Sequence, residues 1–77
     1  MPKIFEAEGF TFFFYMNEHE PVHVHVRKQG KIAKFEIVNG IANPIFGKLS
    51  KADMAKAGEL ATENSMLIIS KWFEIFG

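Results

Sequence analysis

The sequence predicts an α+β fold: an antiparallel β-meander of four to five short strands with two C-terminal helices, or one bent helix, packed on one face. Three observations predict it. Apolar residues alternate with a period of two in the first half of the chain, Gln29-Gly30 and Asn39-Gly40 are hairpin-turn dipeptides, and the apolar spacing becomes helical after Leu49. Because no repeat or linker interrupts the 77 residues, we expect a single domain over residues 1–77.

The predicted strands follow the alternating pattern. Residues 10–17, 22–27 and 33–37 each place apolar side chains on one face of the sheet and polar or aromatic ones on the other. A further strand over residues 41–46 contains Pro44, which favours a position at a sheet edge or a bulge. The apolar face is expected to pack against the helices.

The turn at Gln29-Gly30 also predicts a strand register. A two-residue loop there pairs apolar residues with one another on one face: Val26 with Ala33, Val24 with Phe35, and Val22 with Ile37. On the other face His23 lies opposite Glu36 with Tyr15 beside it, and His25 lies opposite Lys34. We therefore expect these polar residues to form one outward surface.

Two helical segments are predicted after the strands. Ser50-Lys51-Ala52-Asp53 fits a capping box, with Ser50 as the N-cap of the first helix. Asn64 is a candidate N-cap for the second. In that second helix an aromatic and aliphatic stripe of helical spacing is expected to face the core: Ile69, Trp72, Phe73 and Phe76.

Composition and charge exclude several classes of protein. Nine basic residues balance nine acidic ones, which argues against nucleic-acid binding through bulk charge alone. The absence of cysteine excludes disulfides, thiolate zinc sites and cysteine nucleophiles. No segment resembles a signal peptide or a membrane span, so we expect a cytoplasmic protein that does not enter the membrane.

All three histidines lie in one stretch, NEHEPVHVHVRK over residues 17–28, and one interpretation is a metal site. His23 and His25, two apart on a strand, project in the same direction and can bind one divalent transition metal. Glu36 or His19 could complete the ligand set, as could Glu18 or Glu20 of the preceding loop. The alternative is a pair of strand histidines on a solvated face.

A second interpretation is contact with RNA through the same face. His23 could act as a general base oriented by Glu36, while Lys34 or Arg27 holds a phosphate, so the candidate catalytic residues are His23, Glu36 and Lys34. Both an enzyme and a binding module agree with this pattern.

The alternative to RNA contact is a homodimer without catalytic activity. Its contact patch is expected to be formed by aromatic and aliphatic residues of the sheet: Phe13, Tyr15, Val38, Ile41 and Ile45.

The chain also resembles a known family. Gly9, Phe12, the segment EHEPVHVHV over residues 18–26, and Trp72 resemble the family catalogued as domain of unknown function 4160, whose pattern reads acidic-His-x-Pro-Pro-His-x-His. Val22 departs from it, standing where the second proline is usual. The resemblance implies a small protein without an established activity.

Members of that family are often encoded beside another small protein, so the resemblance also implies a toxin–antitoxin role with a protein partner encoded nearby. The residues that match its motif are the implied functional site: Glu18, His19, Pro21, His23 and His25. Together with Tyr15 and Arg27 they form the predicted binding surface.

Overall fold

The computed structural model describes residues 2–77 and has five strands followed by two helices. The strands are β1 (Lys3–Ala7), β2 (Phe10–Phe13), β3 (His23–Lys28), β4 (Lys31–Val38) and β5 (Ile41–Gly47), and the helices are α1 (Lys51–Glu63) and α2 (Ser65–Phe76). The strands form one antiparallel sheet in the order β1-β2-β3-β4-β5. The predicted α+β meander with two C-terminal helices is confirmed.

Three two-residue turns connect neighbouring strands: Glu8-Gly9, Gln29-Gly30 and Asn39-Gly40. In each turn φ is positive at both residues, at 50–52° for the first and 76–84° for the glycine. Positive φ at both central positions defines the turn whose twist matches that of the flanking strands. These turns explain why the predicted register holds, including His23 opposite Glu36 and His25 opposite Lys34.

The prediction was wrong at the end of the second strand. β2 ends at Phe13, whereas the alternation had extended it to Asn17. Residues 14–22, the β2–β3 loop, therefore leave the sheet, and Tyr15 comes to lie against His25 instead of beside His23, with ring centroids 4.5 Å apart. The alternation continued because Phe14 is buried against Trp72, which satisfies its apolar character without strand pairing.

The edge prediction for β5 is confirmed, since β5 pairs only with β4 in the sheet over residues 2–77. Pro44 lies opposite Phe35, next to a register shift between Lys34 and Phe35. A proline lacks the N–H needed for a regular ladder, so this is where the pairing slips.

The helix caps agree with the capping box. The Asp53 N–H donates to Ser50 Oγ at 3.1 Å. Asn64 separates the two helices, but its side chain donates to the Leu60 carbonyl at 2.8 Å and does not cap α2, so its main role is to end α1.

The core lies between the sheet and the helices, where α1 packs on β4 and β5, and α2 packs on α1 and β1. The buried face of α2 differs from the predicted apolar stripe. Ile68 and Trp72 are buried, while Phe73 is 52% exposed. Neither helix within residues 2–77 is long and apolar enough to cross a membrane.

Candidate metal centre

Strand β3 presents His23 and His25 on the sheet face opposite the helix-covered core. Residues two apart on a strand project in the same direction, so the two imidazoles are neighbours, with ring centroids 5.4 Å apart. This face was expected to be open to solvent, and that expectation was wrong at these positions. His23 is only 6% exposed and His25 only 7%.

The β2–β3 loop covers these histidines and places Glu18 between them. Glu18 Oε1 lies 2.8 Å from His23 Nε2, and Glu18 Oε2 lies 3.1 Å from His25 Nε2. The Tyr15 backbone N–H donates to Glu18 Oε2 at 3.1 Å and fixes the carboxylate from within the loop. The result is a largely buried cluster of one carboxylate and two imidazoles.

The backbone of the same loop determines which nitrogen of His23 carries a proton. His23 Nδ1 lies 2.8 Å from the Pro21 carbonyl oxygen, which can only accept, so Nδ1–H is the donor. A neutral His23 then presents a lone pair at Nε2, directly towards Glu18 Oε1. Two lone pairs at this distance repel each other unless a cation, either a proton or a metal ion, lies between them.

His25 is buried among aromatic rings without an aligned hydrogen bond. Neither of its ring nitrogens has a hydrogen-bond partner within residues 2–77, although Nε2 lies within ion-pair distance of Glu18. The rings of Phe13 and Tyr15 flank it at 5.7 Å and 4.5 Å. An unsatisfied buried polar group costs about 1–3 kcal/mol. A partner that binds a ring nitrogen of His25 would therefore recover free energy.

Burial and neighbouring charges shift two pKa values in the cluster. Burial lowers the pKa of His25 below 6.5; the Glu18 carboxylate opposes this shift, whereas the charges of His23 and Lys34 add to it. Burial by itself raises the pKa of Glu18. The hydrogen bonds from His23 and Tyr15 outweigh that effect, and the net pKa is below 4.5. Glu18 is therefore an anion and His25 a neutral base at neutral pH.

The cluster has the composition and dimensions of a three-ligand metal site. The ligand atoms of Glu18, His23 and His25 all lie within 4.8 Å of one another. With metal–ligand bonds of about 2.0–2.2 Å, neighbouring ligand atoms on one tetrahedral ion lie about 3.3–3.6 Å apart, so a small outward movement from the two N···O distances here would admit an ion. Two histidines and one carboxylate can hold Zn²⁺ or Fe²⁺ and leave a coordination position open.

The other predicted site residues lie around this cluster and not in it. A cleft of about 300 Å³ adjoins His23, and its remaining lining comprises His19, Glu20, Pro21, Lys34, Glu36 and Ile45. His19 and Glu36, both predicted as metal ligands, lie in this cleft, outside the group of ligand atoms within residues 2–77.

Arg27 and Phe13 contact each other on the outer face of the sheet. The Arg27 guanidinium lies 5.4 Å from the centre of the Phe13 ring, on which it makes a cation–π contact. Phe13 has no exposed surface, so it cannot belong to the predicted homodimer patch.

Sequence reasoning did not single out Glu18 as the central residue, because it was one of several acidic loop residues. Its position depends on how the loop folds back, which no periodic pattern encodes. The contact between His23 and Trp72, with ring centroids 5.0 Å apart, was missed for a similar reason. It joins residues that are distant in the sequence.

These features define a small α+β protein with a buried Glu/His/His cluster beside an open cleft. The family model described as domain of unknown function (DUF4160) matches residues 9–73, which include all three cluster residues, and the chain belongs to this family. No curated protein and no solved structure gives a significant match to the chain.

Proposed function

We propose that this protein binds one divalent transition metal ion through Glu18 Oε, His23 Nε2 and His25 Nε2. The observation that carries the proposal is the Pro21 carbonyl, which accepts from His23 Nδ1 and so directs the Nε2 lone pair at Glu18. A backbone carbonyl bonded to the non-ligating nitrogen is the usual outer partner of a metal-bound histidine.

A metal ion satisfies the cluster better than a proton does. One proton between His23 and Glu18 leaves the His25 nitrogens without a partner. A single ion at the centre would be bound by all three side chains and would give His25 Nε2 a partner, leaving only its Nδ1 unsatisfied. The lowered pKa of His25 favours the neutral form that metal binding requires.

Burial also favours a metal ion over direct acid–base action on RNA. An RNA chain would have to bring its ribose or phosphate groups to imidazoles that expose less than a tenth of their surface. A bare ion needs only ligand bonds of about 2 Å and can be held beneath the loop.

The test is the zinc content and zinc affinity of protein prepared without a histidine tag. We expect one Zn²⁺ per chain by elemental analysis and calorimetry, and we expect Glu18→Gln or His25→Gln to weaken binding at least about tenfold. Glu20→Gln and His19→Gln are matched controls in the same loop and should bind zinc like the wild type. Equal loss in the controls, or no zinc in a folded wild type, would overturn the proposal.

A second candidate function is a toxin–antitoxin module that binds a protein partner, for which the edge strand offers support. Four apolar side chains at or beside β5 are 43–55% exposed: Val38, Ile41, Ile45 and Phe46. Such exposure on an edge strand suits a second copy, as in the predicted homodimer, or a protein encoded nearby.

Light scattering and co-expression with the neighbouring gene product test this second candidate. Ile45→Glu should abolish self-association or complex formation, whereas Met66→Glu on α2, at a residue that is 79% exposed, should not. A monomeric wild type that captures no neighbour would contradict it. RNA binding that survives in Ile45→Glu but not in Lys34→Gln would favour RNA instead.

A further inference from the structure

The cleft beside the cluster contains a lysine whose charge has no partner. Lys34 is half-buried and makes no ion pair within residues 2–77, whereas Lys3, Lys28, Lys56 and Lys71 each lie within 4 Å of a carboxylate. The other unpaired lysines, Lys31, Lys48 and Lys51, are exposed to solvent. A partly desolvated ammonium that is not engaged in an ion pair is suited to receive an anion.

Lys34 lies close to the ligand set. It is opposite His25 in the β3–β4 register. His23, one of the three proposed ligands, lines the same cleft. Three protein ligands leave a coordination position open, and an anion in the cleft can occupy it while contacting Lys34.

The carboxylates in the cleft determine which anion fits. Glu36 lies opposite His23, is half-buried and makes no hydrogen bond or ion pair within residues 2–77, and Glu20 is at the exposed rim. A buried carboxylate repels a fully deprotonated oxyanion but accepts a hydrogen bond from one that keeps an O–H group. A cleft of about 300 Å³ accommodates a small molecule and not a nucleic-acid chain.

We propose that this cleft binds a small oxyanion that bridges the metal ion and Lys34, and that Glu36 selects oxyanions carrying an O–H donor. Hydrogen phosphate, and small phosphate or hydroxy-acid ligands with the same donor, belong to this class. This inference rests on the metal centre proposed above.

The experiment titrates zinc-loaded protein with inorganic phosphate and, separately, with sulfate, which has no O–H at neutral pH. Amide NMR shifts of β3 and β4 report binding, and zinc content is measured in the same samples. We expect phosphate to bind at least about tenfold more tightly than sulfate, and at least about tenfold more tightly than to the metal-free chain.

Variants separate the contribution of Lys34 to anion binding from that of Glu36. Lys34→Gln should weaken phosphate binding about tenfold or more while zinc stays at one per chain, and Lys34→Arg should restore part of it. Glu36→Gln should bring sulfate to within about threefold of phosphate. The exposed Lys31→Gln is the control and should behave like the wild type.

The outcomes distinguish failure of the proposed anion site from failure of the proposed metal centre. A chain that holds zinc but shows no phosphate shift, or the same shift in Lys34→Gln, overturns the anion site alone. Equal phosphate affinity with and without zinc overturns the bridge. A chain that holds no zinc overturns the metal centre and the bridged anion together.

Discussion

Glu18 is the residue on which the cluster depends, because its two oxygens face two different histidines. Its sequence context marks it only weakly, since Glu20 is also acidic and lies two positions on. What distinguishes them is backbone geometry: the Tyr15 N–H holds Glu18 inside the loop, while Glu20 stays exposed. A buried carboxylate without such partners would carry a large desolvation cost.

Acid should destabilise the metal-free protein in two steps. The folded-state pKa values of His25 and Glu18 lie below their ordinary values of 6.5 and 4.5, so the folded state binds fewer protons than the unfolded one. The stability from neutral His25 is fully present above about pH 6.5 and is lost as the pH falls through its folded pKa. The stability from ionised Glu18 is lost in the same way below about pH 4.5.

Urea unfolding at pH 7.5, 6.5 and 5.5, with a chelator present, checks the His25 part. The difference in unfolding free energy between wild type and His25→Gln should shrink as the pH falls, since glutamine does not titrate. His19→Gln, at an exposed histidine, should keep the wild-type pH dependence. A difference that is constant over this range would contradict the expectation.

At the scale of elements, the β2–β3 loop covers part of a sheet face and buries the Glu/His/His cluster there. The Tyr15 amide hydrogen is a direct probe of its closure, because it donates to Glu18 Oε2. Glu18→Ala removes the acceptor, and we expect this amide to exchange at least about fivefold faster. The amide of Phe35, inside β4, should be unaffected and serves as the internal control. Equal protection of Tyr15 in both proteins would mean that Glu18 does not hold the loop.

The start of α1 offers an independent prediction about stability. Ser50→Ala removes the acceptor of the Asp53 N–H and should lower the unfolding free energy by about 1 kcal/mol. Ser50→Asp keeps an acceptor and should remain close to wild type in thermal melts. A larger loss in Ser50→Asp than in Ser50→Ala would show that the serine acts otherwise.

Strands and helices could be predicted where residues close in the sequence determine where they begin and end. The Gln29-Gly30 and Asn39-Gly40 turns encode their own geometry, and Ser50 encodes a helix start, so β3, β4, β5 and α1 were predictable. The end of β2 was not, because Phe14 is apolar for a reason outside the sheet, its contact with Trp72. The cluster was not predictable for the same reason, because its carboxylate lies in the loop that follows Phe14.

At the scale of the whole molecule, a single small core lies beneath one sheet face, and a chain of this size is expected to be only marginally stable. The cluster adds a second buried layer on the opposite face, formed by Phe13, His23 and His25. A ligand bound there should therefore have a large effect on global stability.

Zinc should raise the melting temperature of the wild type. At a free concentration about 100 times the Kd, binding only to the folded state adds about 2.7 kcal/mol, or roughly 10 °C or more for a domain of this size. Differential scanning calorimetry with and without zinc checks this, with Glu18→Gln expected to show a much smaller shift. A shift of the same size in Glu18→Gln would indicate binding elsewhere.

The three cluster residues come from one short stretch of chain, residues 18–25. Closing a short loop costs little chain entropy, and this loop is already closed by the pairing of β2 with β3. The site is therefore mostly a feature of one hairpin, and Trp72 of α2, which contacts both Phe14 and His23, is its partner from a distant part of the chain. Such a segment is suited to grafting: an unrelated antiparallel hairpin should accept residues 14–25 as a unit if its host supplies a phenylalanine at the position of Phe13 and an aromatic ring at the position of Trp72.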